Sequence, residues 1–111
     1  MTESLKNARA NLTTSYQTLY TCPSSTTAMV VSLLAANIDG TSTQDVTVQW
    51  RDSSASNVPT LIASTISIPA DSTLTVLTKS APLALEAGDT LEIVSSTNYA
   101  VHATAVIVEI V

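Results

Sequence analysis

Residues 44–52, QDVTVQWRD, alternate apolar and polar side chains without a break. Val46, Val48 and Trp50 fall on one side of an extended chain, and Thr47, Gln49 and Arg51 on the other. A strict period of two belongs to a half-buried β-strand, because successive side chains of a strand point to opposite faces. The alternation returns in TSYQTLYT (14–21) and in TLTVLTKS (73–80), where Leu74 and Val76 point inward. Trp50, the one tryptophan, is predicted to anchor the core of such a fold.

Between these runs lie turn signals at the spacing an all-β domain requires. Asp39-Gly40, SSASN (53–57), PADS (69–72) and EAGD (86–89) each separate two apolar segments. TAMVVSLLAANI (27–38) is apolar on both faces and reads as a central strand covered on both sides. VPTLIASTISI (58–68) carries Pro59, which lacks the amide a central strand needs and places this run at a sheet edge. In PLALEAGDTLEIVSS (82–96), Leu83 and Leu85 point into the core, a turn follows, and Leu91 and Ile93 return as the second arm of a hairpin. Gly88 supplies a positive φ there, and Asp89 bonds its own backbone two residues on. The closing run, YAVHATAVIVEIV (99–111), sets Val106, Val108 and Ile110 against Ala105 and Ile107. About eight strands result, with no helix after residue 12. The predicted fold is all-β: an antiparallel β-sandwich, jelly-roll or immunoglobulin-like.

Residues 1–10, MTESLKNARA, differ in composition from the rest and are read as a short N-terminal arm preceding a sandwich of residues 11–111. Leu5, Ala8 and Leu12 share one side of a short helix, which is marginal in water on its own. The segment is therefore either a frayed end or an arm that orders against a neighbouring subunit. It holds Lys6 and Arg9, half of the four basic residues in the chain.

Composition narrows the chemistry. Nine acids against four bases give a net charge of −5, and the body beyond the arm keeps only Arg51 and Lys79 as cations. Nucleic-acid affinity comes mainly from lysine and arginine, so this partner is excluded. Thirty-three serines and threonines make the surface polar through hydroxyls, which cost less to desolvate than charges. Cys22 is the single cysteine, so no disulfide forms within the chain. No run of about 18 apolar residues exists, and polar residues follow Met1, so neither a membrane span nor a secretion signal is expected.

No catalytic or metal-binding pattern emerges, and no cofactor is expected. His102 is the lone histidine and reads as a surface or interface residue; Cys22, before Pro23, reads as a buried or turn thiol. Asp39, Asp45, Asp52, Asp71 and Asp89 sit at or near turns, where aspartate is favoured for backbone reasons. Glu86 and Asp89 flank one turn and have the chemistry for calcium, but no calcium-loop motif surrounds them. Phosphate-binding and nucleophile-elbow motifs are absent, and NLT (11–13) matches a glycosylation sequon without a secretion signal to give it meaning. Tyr16 and Tyr20 share a parity on the first strand and, with Tyr99, leave open a glycan-binding, host-surface adhesin.

Taken in order, LYTCP, NID, IPADSTL and LALEAGDTL over residues 14–110 resemble the small β-sandwich virion proteins of tailed bacteriophages. In those proteins an LYT-P opening, an N-x-D/T strand end, an IP-x-x-x-x-L turn and an L-x-x-GD-x-L hairpin recur. This chain departs in having only two glycines. The resemblance implies a non-enzymatic structural protein of the virion, as capsid decoration (cement) or as a neck or tail component. Its partners would be like subunits and other virion proteins, such as the major capsid protein. The residues themselves add two expected contact regions: residues 1–10 as a docking arm bearing Lys6 and Arg9, and the doubly apolar final strand 105–111, whose Val106, Val108 and Ile110 would leave a hydrophobic face for self-association.

Overall fold

The computed structural model describes residues 2–111. Nine strands appear in chain order: β1 (Glu3–Asn11), β2 (Gln17–Thr21), β3 (Thr27–Asn37), β4 (Gln44–Asp52), β5 (Val58–Ile68), β6 (Thr73–Leu77), β7 (Leu83–Leu85), β8 (Thr90–Ser95) and β9 (Val101–Ile110). They form two antiparallel sheets, one ordered β1-β9-β3-β6 with β7 also on β3, the other β2-β8-β4-β5. The strand pairs β1–β2, β9–β8, β3–β4 and β6–β5 each span the two sheets, which is the wrapped order of a jelly roll. Periodicity encodes which residues point inward but not which strands are neighbours, so the sequence left the immunoglobulin alternative open.

The core fills the space between the sheets. Val30, Leu33 and Ala35 of β3, Val46 and Val48 of β4, Leu91 and Ile93 of β8, and Val101, Ala103, Ala105 and Ile107 of β9 are fully buried or nearly so. Trp50 is half-buried and packs against this cluster from its rim instead of anchoring its centre. It lies opposite Leu91, near the end of β4.

Three expectations are corrected. The part of the proposed arm that the structure describes is no separate segment: Glu3–Asn11 is β1, paired with β9 in one unbroken register from Glu3↔Ile110 to Asn11↔His102. Ala8 and Ala10 face the core and Leu12 is fully buried beyond them, so the strand is pinned at its end. Backbone pairing along nine residues outweighs the weak helical periodicity of a polar segment.

β3 is central, between β9 and β6, but it is covered on one face only. Its alternate residues Met29 and Leu34 remain 38% and 37% exposed. Finally, β7 and β8 are not a hairpin: β7 pairs with β3 and β8 with β2 and β4, so EAGD carries the chain across from one sheet to the other. Hairpin and crossover use the same turn chemistry. Gly88 adopts φ +90° there, as the turn requires.

Pro59 does lie on an edge strand, β5. In IPADSTL, Asp71 takes the left-handed conformation (φ 57°) in place of the missing glycine, which aspartate tolerates better than most residues. Its amide donates to the carbonyl of Asp39, tying this turn to the β3–β4 loop.

Candidate interaction surface

The two outer faces of the sandwich differ in chemistry. On the four-stranded sheet, Asp45, Thr47, Gln49 and Arg51 project outward from β4. Arg51 Nε and Gln49 Nε2 both donate to Glu92 Oε1, at 2.9 and 2.7 Å, and Ser67 Oγ donates to Asp45 at 2.8 Å. This face is polar over β4 and β8, with Gln49 nearly buried beneath the network, while Leu61 of β5, opposite Gln49, is exposed at its edge. Arg51 and Glu92 form an ion pair with Arg51 substantially exposed, a geometry that contributes at most about 1 kcal/mol.

The outer face of the five-stranded sheet carries one apolar row among mixed ones. Residues directly opposite in an antiparallel pair share a face, and Leu5, Val108 and Met29 lie in one row across β1, β9 and β3. Asn7, Val106 and Ser32 make the next row, then Arg9, Thr104 and Leu34. Leu5 is 76% exposed and Val106 is 36% exposed. Among the described residues, the charged side chains on this face are Glu3, at its corner, and Arg9. An apolar stripe across three strands that water reaches is a surface that stays unpaired at a cost, and such patches mark contact sites.

The structure separates residues that composition had grouped. Lys6 lies opposite buried Ile107 and so points toward the core side of β1, whereas Arg9 lies opposite Thr104 on the outer face. The two cations of the proposed arm face opposite ways. Val106 and Val108 are on the outer face, with Ile110 further along the same parity, while Ala105 and Ile107 are buried between the sheets. Sequence reading did not assign Leu5, Met29 or Leu34 to this surface. The signal was present in the two-sided apolar run 27–38, one face of which stays exposed in the sandwich.

The remaining candidates do not converge. His102 is exposed on the outer face and Cys22 is buried in the core, so they form no dyad. Burial, with the charges of Asp89 and Glu109 nearby, pushes the Cys22 thiol above its usual range, which keeps it protonated and unreactive. Asp52, Glu86 and Asp89 come close together, and both Asp89 oxygens and one Asp52 oxygen are taken by hydrogen bonds of the turns. Asp89 accepts from the amides of Ser53 and Glu86 and from the Ser53 hydroxyl, and Asp52 accepts from the amide and hydroxyl of Ser54. They hold turns together. Asp39 behaves likewise, its carboxyl drawn below the usual range by hydrogen bonds from Thr41, Ser42 and Gln44.

The three tyrosines form no row. Tyr16 and Tyr99 are exposed near one end of the sandwich, where Thr14 N–H bonds Asn98 and Tyr99 N–H bonds the Leu12 carbonyl. A register shift between Thr18 and Tyr20 breaks the parity of β2. Tyr20 turns into the sandwich instead and donates its hydroxyl to Glu109 Oε2 at 2.6 Å. Burial first, then this bond to a carboxylate, raises the Tyr20 phenol well above its ordinary range. Its protonated form is thus favoured in the folded state, and the stability it contributes is complete below about pH 10 and lost as pH rises beyond it. Urea unfolding at pH 9 and pH 11 is expected to show a steeper loss for the native protein than for Tyr20→Phe. Equal losses would mean that the bond to Glu109 does not favour the neutral phenol.

No family model and no curated protein matches this sequence. Two solved structures share its fold. One, from work describing Bacillus endospore appendages as a novel family of disulfide-linked pili, aligns at a TM-score of 0.56 and 14% identity, over 97% of this chain and 84% of that one. The other, from the crystal structure of the T13 IBDV viral particle, aligns at 0.54 and 10% identity, over 97% of this chain but 31% of that one. At these identities the likeness is one of fold.

Proposed function

We propose that this domain is a non-enzymatic structural subunit of a bacteriophage virion, and that it decorates the capsid and stabilises it through contacts between subunits. The observation that carries the reading is the exposed apolar row on the outer face of the five-stranded sheet, set against the ion-paired network over β4 and β8 on the other side. A soluble domain gains nothing from an exposed row of Leu5, Val108 and Met29, whereas a subunit that packs this face against a neighbour gains its burial, about 25 cal/mol per Å² of apolar surface. The surrounding hydroxyls lose little on desolvation.

The two structures that share the fold come from a viral particle and from pili, and both are assemblies. The pili are described as disulfide-linked, whereas here the single cysteine is buried, so contacts between copies are non-covalent. Val106, Val108 and Ile110, with Leu5, Met29 and Leu34, form the contact surface. Arg9 on the same face meets acidic groups of the major capsid protein. Quantifying this chain in virions purified from its host tests the reading. A copy number comparable to that of the major capsid protein is expected. A few copies per particle would assign it to the neck or tail, and its absence from virions would refute the proposal.

A further inference from the structure

Every sheet edge exposes unpaired backbone groups, which template pairing with another chain unless something blunts them. Four of the five edge strands among the described residues are blunted; β7, which pairs with β3 alone, is only three residues long. β5 carries Pro59, two register shifts against β4, and Thr65 at φ 49°. β2 is five residues long with a shift between Thr18 and Tyr20. β6 is also five residues long, and its pairing with β3 shifts between Leu33 and Leu34.

β1 has none of these devices. It is nine residues long, contains no proline or glycine, and keeps an unbroken register with β9. Thr2 and Val111 exchange both backbone hydrogen bonds, and the Leu12 amide bonds the Val101 carbonyl. Hydrogen-bonded pairs alternate along an antiparallel ladder, so the even-numbered residues of β1 bond to β9. Glu3, Leu5, Asn7, Arg9 and Asn11 therefore present their N–H and C=O groups at the open edge. Leu5 is also the most exposed large apolar side chain among the described residues, at 76%.

We propose that β1 is a self-pairing edge: two copies of this chain join by antiparallel pairing of β1 with β1 about a two-fold axis at Asn7. Centred there, the strands overlap along their whole length. Glu3 meets the second copy's Asn11, Leu5 meets its Arg9, and Asn7 meets its Asn7. All are edge-facing residues, giving about ten reciprocal hydrogen bonds. The aliphatic stem of Arg9 lies over Leu5 of the other copy and covers it. Centring on Lys6 instead sets Glu3 against Arg9, but it also sets Lys6 against Lys6 in a close pair, which repels, and leaves Asn11 without a partner in β1, so fewer edge groups are paired; centring on Ala8 leaves Glu3 unpaired. The result is one continuous sheet through both copies, with the two outer faces side by side. The pairing stands on the purified chain alone, whether or not the assembly it serves is a virion.

Asn7→Cys tests the register, because the two thiols face each other across the axis. The Cα separation of a hydrogen-bonded pair, about 5.5 Å, suits a disulfide, and buried Cys22 gives no competing thiol. Mild oxidation is expected to convert the variant into a covalent dimer, while Lys79→Cys, in the turn after β6, stays uncrosslinked. Asn7→Pro removes an edge amide that β9 does not use, and light scattering after size exclusion is expected to show dimerisation weakened about tenfold or more. A wild-type protein that is monomeric at high concentration would overturn the proposal. So would a dimer that fails to crosslink through Asn7→Cys, and that result decides the matter even if Asn7→Pro fails to fold.

Discussion

Replacing Asn37 with aspartate is expected to cost the fold about 4 kcal/mol, a large part of the stability of a domain this size. Asn37 is 2% exposed, at the end of β3. Its side-chain amide donates to three carbonyls, those of Ile68 at 2.9 Å, Ser42 at 3.0 Å and Pro69 at 3.2 Å. Its Oδ1 accepts the Asp39 amide at 2.9 Å. One side chain thus fastens the β3–β4 loop to the end of β5. Aspartate has nearly the same shape but carries no donor, so a buried negative charge would face three carbonyl oxygens. Asn37→Ala removes the bonds without adding the charge and is expected to lose about 3 kcal/mol. Urea unfolding of the two variants measures this. If Asn37→Asp were no worse than Asn37→Ala, the three carbonyl contacts would not be what holds the loop.

Asp89→Ala is expected to lose about 3 kcal/mol by the same measurement. Asp89 is 1% exposed, and its two oxygens take the Ser53 amide at 2.9 Å, the Ser53 hydroxyl at 3.1 Å and the Glu86 amide at 2.9 Å. Without the carboxylate, two backbone donors at the corner where the chain changes sheets have no acceptor. The backbone carbonyl of Asp89 also receives the Cys22 amide, so the end of β2 loosens with the corner. Cys22 reports on this: thiol-reagent labelling is expected to be slow in the native protein and faster in Asp89→Ala under native conditions. A variant that keeps its stability would mean that the corner is held by the Gly88 turn alone.

Strands that repeat every two residues were legible before any coordinates. β4 and β6 sit where QDVTVQWRD and TLTVLTKS alternate, with Val46, Val48 and Leu74 turned to the core as read. β1 was not legible, because its core-facing residues are Ser4, Lys6, Ala8 and Ala10. Alanine carries little hydrophobic contrast, and the strand exists because β9 offers it a backbone partner. The corner at EAGD was read as a hairpin because a turn's residues fix its local geometry and not the sheet its next strand joins. Asp89 looked like an ordinary turn residue and Asn37 like the polar end of an apolar strand; only the fold reveals that their partners lie far away in the chain, Asn37 reaching Ile68 and Asp89 reaching Ser53. The outer face was half legible. The parity of the last run assigned Val106 and Val108, while Met29 and Leu34 were read as covered on the assumption that every apolar strand face is covered within its own chain.

The proposed virion role requires that outer face to be a contact surface. Val106 is at its centre, and glutamate at this position would leave a charge to be buried on docking without disturbing the core beneath, since Val106 points away from it. Wild-type protein and Val106→Glu, each added to virions stripped of this chain, are compared by co-sedimentation. Wild-type protein is expected to sediment with the particles, and Val106→Glu, with an unchanged unfolding midpoint, to remain in the supernatant. Equal sedimentation of both would contradict the assignment of this face, and binding by neither would contradict the virion role itself.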